Sequence, residues 1–156
     1  MTEQRLCRMD EKSERHHLFL GLGSNLGNKE QNLLTAIRLI DERVGQVVRQ
    51  SSFLETEPWG FESENTFLNA VILCETDRSP REVLRLTQKI ERDMGRKKNV
   101  NRQSVTRKYK DRPIDIDILL YDDLTLDEPD LKIPHPLMYQ REFVMKPLQE
   151  IKKVES

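Results

Sequence analysis

Two aspartates separated by one residue form the strongest chemical signal in the sequence. Asp115 and Asp117 lie in a run with isoleucines at positions 114, 116 and 118. In a strand both carboxylates would share one face, about 6.6 Å apart, while the isoleucines point into the core. Mg²⁺ takes one or two carboxylates together with substrate phosphates, and two such ions can hold both sides of a phosphoryl displacement. A solvated polar face gives the same pattern, so the pair alone leaves both interpretations open.

The charge pattern around this pair favours the metal interpretation. Residues 96–112 contain eight Lys or Arg and one acid, whereas residues 113–130 contain seven acids and no Lys or Arg. A basic segment that leads directly into an acidic one suits an anion bound partly through metal and partly through arginine. A solvated loop and an RNA-binding arm remain as alternatives for the basic segment. The predicted strands lack the aromatic pattern of RNA-binding sheets, which argues against RNA.

Other candidate ligand-binding residues lie in two loops and one strand. Trp59 and Phe61, in a loop with a proline and a glycine, could cover a flat ligand or simply pack the loop. Asn69 lies among apolar residues, so its amide must bind either backbone groups or the edge of a heterocycle. His135 stands between two prolines and could present its ring to an anion or remain an ordinary surface histidine.

A glycine-rich segment spans residues 21–27, between a predicted strand and a predicted helix. Its sequence, GLGSNLG, matches neither the P-loop nor the dinucleotide-binding pattern. It could still cradle a phosphate at a helix N-terminus. The alternative is a tight turn in which glycine supplies a positive φ.

The elements that must position these residues follow the order β-α-β-β-α-β. Strands are predicted at 17–22, 47–54, 66–76 and 113–121. The first helix has Asn28 as N-cap, and the second has Ser79 as N-cap with Pro80 in its first turn. A short helix is predicted around 139–146 after a proline-punctuated loop. This order predicts an α+β, ferredoxin-like fold: an antiparallel sheet with both helices on one face.

Length and composition limit the possible classes of protein. The 156 residues are enough for one domain at 17–156, preceded by a charged tail at 1–16 that we expect to be disordered. The net charge of −1 and the lack of an apolar run of about 20 residues argue against nucleic acid and membrane as partners. Two cysteines provide no disulfide framework, so we expect a cytoplasmic protein, and we expect a monomer.

Seven segments together resemble the 6-hydroxymethyl-7,8-dihydropterin pyrophosphokinase family. In chain order they are GLGSNLG (21–27), FLNA (67–70), QKIE (88–91), GR (95–96), RPIDIDIL (112–119), IPHP (133–136) and REFV (141–144). The resemblance implies a ferredoxin-like core and transfer of a diphosphate from ATP to the pterin hydroxymethyl group, a step of folate biosynthesis that releases AMP. It also implies that the glycine-rich segment is a scaffold beside the pterin pocket.

The resemblance also implies a set of site residues. Asp115 and Asp117 match the ligands of two Mg²⁺ ions, and Arg96 and Arg112 match arginines that bind the phosphates from a mobile loop. The positions that match the pterin pocket are Thr56, Pro58, Trp59, Asn69 and Phe143, with Tyr109 as the nearest aromatic in the long loop. The positions that match the surroundings of ATP are Gln88, Glu91, Ile118, His135 and Arg141.

Two other classes of function fit parts of this pattern. A different Mg-nucleotide transferase could use the same pair of aspartates and would release pyrophosphate in place of AMP. A non-catalytic ferredoxin-like module could bind RNA or a small effector without ATP turnover. Product analysis separates the first class from a diphosphokinase, and nucleic-acid affinity with a steep salt dependence would indicate the second.

Overall fold

The computed structural model describes residues 15–56, 66–95 and 113–155. Ten helices and strands occur in these ranges, in the order β1 (His16–Ser24), α1 (Lys29–Arg43), β2 (Gln46–Gln50), β3 (Leu54–Thr56), β4 (Phe67–Thr76), α2 (Pro80–Asp93), β5 (Asp115–Tyr121), β6 (Leu126–Glu128), β7 (Leu131–Ile133) and α3 (Glu142–Glu155). A single 3₁₀ turn at Met138–Gln140 precedes α3. No helix within these ranges is long and apolar enough to cross a membrane.

The main sheet is antiparallel and confirms the predicted fold class. Its strand order is β2-β4-β1-β5, with β3 also paired to β4. The first strand therefore lies in the middle, between β4 and β5. This is the arrangement expected when each helix connects two strands that are parallel but not adjacent.

The predicted second strand is interrupted, although the apolar pattern of the sequence predicts one continuous strand at 47–54. Its β-pattern is divided between β2 and β3, and residues 51–53 separate them. Ser51 causes the break, because its backbone N–H donates to the Val71 carbonyl while its hydroxyl accepts from the Val71 N–H. A side-chain hydroxyl thus replaces one backbone partner of the ladder.

Both predicted helix starts are confirmed by their capping hydrogen bonds. The Asn28 side chain accepts from the Gln31 N–H at 3.1 Å. The Ser79 hydroxyl accepts from the Glu82 N–H at 3.2 Å, with Pro80 as the first helical residue. Each cap satisfies a backbone donor that has no partner inside the helix.

The sheet buries apolar side chains on both of its faces. One core joins alternate residues of β1 and β5 to α1 and α2, and includes Leu18, Leu20, Leu22, Leu33, Ile40, Ile90, Ile116 and Ile118. The second core lies on the opposite face and includes Phe19, Val71, Leu73, Leu119, Val144, Leu148 and Ile151. Helices α1 and α2 share one face as predicted, and α3 covers part of the other.

The C-terminal part of the fold differs from the prediction. The short helix expected around 139–146 begins at Glu142 and continues through Pro147 to Glu155. Proline removes one backbone hydrogen bond, but Leu148 and Ile151 beyond it are buried against the sheet, and this burial holds the helix together. The segment expected to be only a loop also contains the β6–β7 hairpin, which Arg81 of α2 binds through Glu128 and Asp130.

Candidate active site

Asp115 and Asp117 occupy the same face of β5. Burial alternates along the strand, with both aspartates half-buried and Ile116 and Ile118 inside the first core. The aspartates point to the opposite face, the side on which Leu119 contributes to the second core. Strand β5 is the last strand in the order of the main sheet, and both aspartates remain partly exposed to solvent.

The strand beside the aspartates has two positions without side chains. Gly23 pairs with Asp115, and Gly21 pairs with Asp117. On the other side of β1, Gly23 pairs with Asn69 of β4. A strip without side chains therefore separates the two carboxylates from the candidate pterin residue.

These glycines correct the expectation of a turn over residues 21–27. Strand β1 continues to Ser24, so Gly21 and Gly23 are strand residues. Only Gly27 among these three glycines has a positive φ, at 70°. The connection to α1 is thus confined to residues 25–28, and within it the positive φ occurs at Gly27.

Asn69 and Thr56, two candidate pterin residues, are in direct contact. Asn69 is 6% exposed, and its Nδ2 donates to Thr56 Oγ1 at 2.9 Å and to the Leu54 carbonyl at 3.4 Å. These donor bonds fix the orientation of the amide. Its Oδ1 is directed over Gly23, since a Cβ built on that glycine would lie 3.1 Å away.

His135 lies close to both Asp115 and Arg141. Its backbone N–H donates to the Leu119 carbonyl at 3.0 Å, and its Nδ1 accepts from the Leu137 N–H at 3.2 Å. Burial and the nearby Arg141 guanidinium lower the pKa of His135, while the Asp115 carboxylate opposes them. The neutral ring therefore carries its proton on Nε2, which can donate to a ligand oxygen.

Arg141 and Phe143 lie where α3 begins. The Arg141 guanidinium carbon is 5.6 Å from the centroid of the Phe143 ring. Both side chains are half-buried. An aromatic face and a cation thus occur together on the side of the sheet that carries Asp115 and His135.

The three remaining candidates for ATP binding have different environments. Glu91 is 6% exposed and accepts a hydrogen bond from the Ile116 N–H at 2.7 Å. Gln88 is exposed on α2. The Ile118 side chain belongs to the first core, so its backbone is the part that could contact a ligand.

Five of the predicted site residues lie outside the described part of the chain. They are Pro58, Trp59, Arg96, Tyr109 and Arg112. The charged tail, except for its last two residues, and Phe61 also lie outside it.

The two carboxylates on this face suit a Mg²⁺ ion that takes only a few of its ligands from the protein. Residues 15–56, 66–95 and 113–155 contain no group of three or more His, Cys, Asp or Glu that could hold a metal ion. A closed structural zinc site needs four such ligands. Mg²⁺ commonly takes one or two carboxylates and completes its shell with phosphates and water, as Asp115 and Asp117 would require.

The sequence of this chain is similar to those of known proteins. The model of the family described as 7,8-dihydro-6-hydroxymethylpterin-pyrophosphokinase matches residues 19–153. Proteins named 2-amino-4-hydroxy-6-hydroxymethyldihydropteridine pyrophosphokinase are 45% identical in Porphyromonas gingivalis (86% of this chain, 89% of the relative) and 39% identical in Aquifex aeolicus (86% and 79%).

A solved structure shares the fold. It is the wild-type HPPK-DHPS of Plasmodium falciparum, with a TM-score of 0.68 and 16% identity. The similarity covers 87% of this chain and 39% of that longer one. From the sequence matches, the chain belongs to the 7,8-dihydro-6-hydroxymethylpterin-pyrophosphokinase family.

Proposed function

We propose that this protein transfers the diphosphate of ATP to the hydroxymethyl group of 6-hydroxymethyl-7,8-dihydropterin and releases AMP, a step of folate biosynthesis. One observation carries the proposal: a single sheet face bears Asp115 and Asp117 on one side of β1 and the Asn69–Thr56 pair on the other. Two strand spacings separate these groups, about 10 Å. A flat bicyclic ring with a one-carbon arm can bridge from the amide to the metal ligands.

The proposed reaction is a direct in-line displacement. The pterin hydroxyl oxygen forms a bond to the β-phosphorus while the bond from that phosphorus to the α,β-bridging oxygen breaks. AMP leaves with the bridging oxygen, and the hydroxyl proton passes to water. Positioning supplies much of the rate enhancement, because no side chain of the described ranges is an evident general base.

In this proposal the carboxylates bind ATP through metal ions, and the cationic and hydrogen-bond-donating groups contact its phosphates directly. Asp115 and Asp117 would hold the Mg²⁺ ions, two in this proposal, and bound Mg²⁺ would supply charge neutralisation at the phosphates and activation of the attacking oxygen. His135 donates from Nε2 to a phosphate oxygen, and Arg141 adds positive charge beside it. Gln88, the Ile118 backbone and Glu91 complete the surroundings of ATP in this proposal.

The pterin is proposed to lie against the Asn69 side of the face. The Asn69 amide reads the edge of the ring, held in place by Thr56, and Phe143 stacks on its flat surface. Pro58, Trp59 and Tyr109 complete the pocket from two loops. Arg96 and Arg112 follow the developing charge on the phosphates.

The decisive experiment is a product analysis. The protein is incubated with MgATP and reduced 6-hydroxymethylpterin, and nucleotides are separated by anion-exchange chromatography. We expect AMP to form in equal amount to the pterin diphosphate, and only when the pterin is present. Pyrophosphate as the product would indicate a nucleotidyltransferase, and an absence of turnover would favour a binding module.

The assembly state and cellular location belong to the same proposal. We expect a monomer that works in the cytoplasm on small molecules. Light scattering during size-exclusion chromatography measures the mass, and cell fractionation measures the location. A stable dimer that contains the Asp115 face in its interface would contradict the proposed substrate access.

A further inference from the structure

Gly23 has no conformational reason to be glycine. Its φ is outside the positive range, which only Gly27 and Gly95 occupy among the glycines of the described ranges. It lies inside β1, where glycine costs stability relative to residues with side chains. Its identity must therefore be explained by the space around it.

Phe67 and Asn69 lie directly over Gly23. A Cβ built there would come within 3.1 Å of Asn69 Oδ1 and 3.5 Å of Phe67 Cδ1. The Asn69 amide cannot yield easily, because its Nδ2 is already bound to Thr56 Oγ1 at 2.9 Å. A methyl group at this position would therefore require the amide to shift by a few tenths of an ångström, against its bond to Thr56.

Gly21, two residues earlier on the same face, has different neighbours. The atoms nearest to its Cβ would belong to the side chain of Leu119, at 3.4 to 3.6 Å, which is ordinary contact. The added methyl group would touch Leu119 at the edge of the second core, away from Asn69. Gly21 therefore offers a matched control for a methyl group added to the same strand face.

We propose that Gly23 is a positioning residue for the acceptor: its missing side chain lets the Asn69 amide lie low on β1, at the depth and angle at which it can read the edge of a planar heterocycle. The inference rests on the proposed role of Asn69. Gly23 touches no reacting atom and acts through Asn69. The selected ligand is a flat ring that presents hydrogen-bonding groups along its edge, and the nucleotide does not depend on this contact.

The test compares Gly23→Ala with Gly21→Ala. The measurements are the Kd of 6-hydroxymethylpterin in the presence of Mg²⁺ and a non-hydrolysable ATP analogue, the Kd of that analogue, and Tm. We expect Gly23→Ala to weaken pterin binding by about tenfold or more, with nucleotide affinity within about twofold of wild type. Gly21→Ala, whose methyl group would lie against Leu119, should weaken pterin binding less than Gly23→Ala does.

Asn69→Ala separates failure of this inference from failure of the proposed function. If Asn69→Ala loses pterin affinity and Gly23→Ala does not, the role of Gly23 is overturned and the function stands. If the wild type binds no pterin, or Asn69→Ala binds it normally, the proposed site itself is wrong. Equal loss of pterin and nucleotide affinity in Gly23→Ala would also overturn the inference, because it indicates general damage.

A double variant keeps the test decisive if Gly23→Ala does not fold. Asn69→Ala removes the oxygen that the new methyl group would meet. We therefore expect the Gly23→Ala/Asn69→Ala double variant to fold and to lose less stability from the added methyl group than the single variant does. If the methyl group costs as much stability in the Asn69→Ala background as in the wild type, the clash lies elsewhere and the inference is overturned.

Discussion

The carboxylate of Glu91 accepts a hydrogen bond from the backbone N–H of Ile116 at 2.7 Å. Ile116 lies between Asp115 and Asp117 on an edge strand. A buried carboxyl group from α2 thus binds the backbone of β5 between the two candidate metal ligands. The bond also satisfies a buried backbone donor, which would be costly to leave without a partner.

Glu91→Ala should therefore lower both stability and turnover. The change leaves the buried Ile116 N–H without this acceptor, which costs about 1–3 kcal/mol of unfolding free energy. Displacement of β5 should also lower kcat. Glu91→Gln keeps an oxygen at similar reach and should recover most of the loss. Urea unfolding and steady-state kinetics measure the two effects; normal kcat in a folded Glu91→Ala would exclude a positioning role.

Asp117→Ala should abolish most turnover while the protein stays folded. Loss of one of two metal-holding carboxylates removes several kcal/mol of transition-state stabilisation, about a 10³-fold fall in kcat. Asp123→Asn is the control, because this exposed acid follows β5 in a turn. Circular dichroism checks the fold, and AMP formation checks the activity. Near-normal turnover in Asp117→Ala would rule out the two-metal assignment.

His135 should titrate below the usual 6.5 of a histidine in the Mg²⁺-free protein, since burial and Arg141 lower its pKa. The unfolded chain then binds the proton first as pH falls. The contribution of neutral His135 to the free energy of unfolding is complete above about pH 6.5. It is lost as the pH falls towards the lowered pKa of the folded protein. His135→Gln should flatten the decline in unfolding free energy between pH 7 and pH 5.

Nitrogen NMR provides a direct check on the same ring. At pH 7.5 the His135 spectrum should show the proton on Nε2, because Nδ1 accepts from the Leu137 N–H at 3.2 Å. A proton on Nδ1 would contradict the proposed donation from Nε2 to a phosphate.

Cys74 should be inert to thiol reagents in the folded protein. Its side chain is fully buried in β4, and burial, with a smaller contribution from Asp41, raises the pKa of the thiol to about 12. In a Cys7→Ser background, labelling by a disulfide reagent at pH 8 should follow global unfolding, since thiolate is the reactive form. Rapid labelling without denaturant would show that β4 opens locally.

Local patterns in the sequence were sufficient to predict much of this fold. The alternation around Asp115 and Asp117 predicted β5 and its two faces, and Asn28 and Ser79 predicted the helix starts. These signals are readable because each depends on neighbours within a few residues.

The missed features depend on contacts between distant residues. Ser51 interrupts a strand because of its hydrogen bonds to Val71. Helix α3 continues through Pro147 because Leu148 and Ile151 pack against the sheet. The pairing of Gly23 with both Asp115 and Asn69 depends on strand register, and no spacing in the sequence reveals it. Glu91 likewise matched a position around ATP, and only the packing of α2 on β5 shows its bond to Ile116.

Helix α3 is the last described element to leave the ribosome, yet it completes the second core, and Arg141 and Phe143 lie at its start. A nascent chain that stops before Val144 lacks the α3 side chains that pack against Phe19, Val71 and Leu73. Premature release should therefore give an inactive, aggregation-prone product and not an enzyme of reduced stability. Stalled chains that end near residue 136 should bind a hydrophobic dye, and chains extended past Ile151 should not.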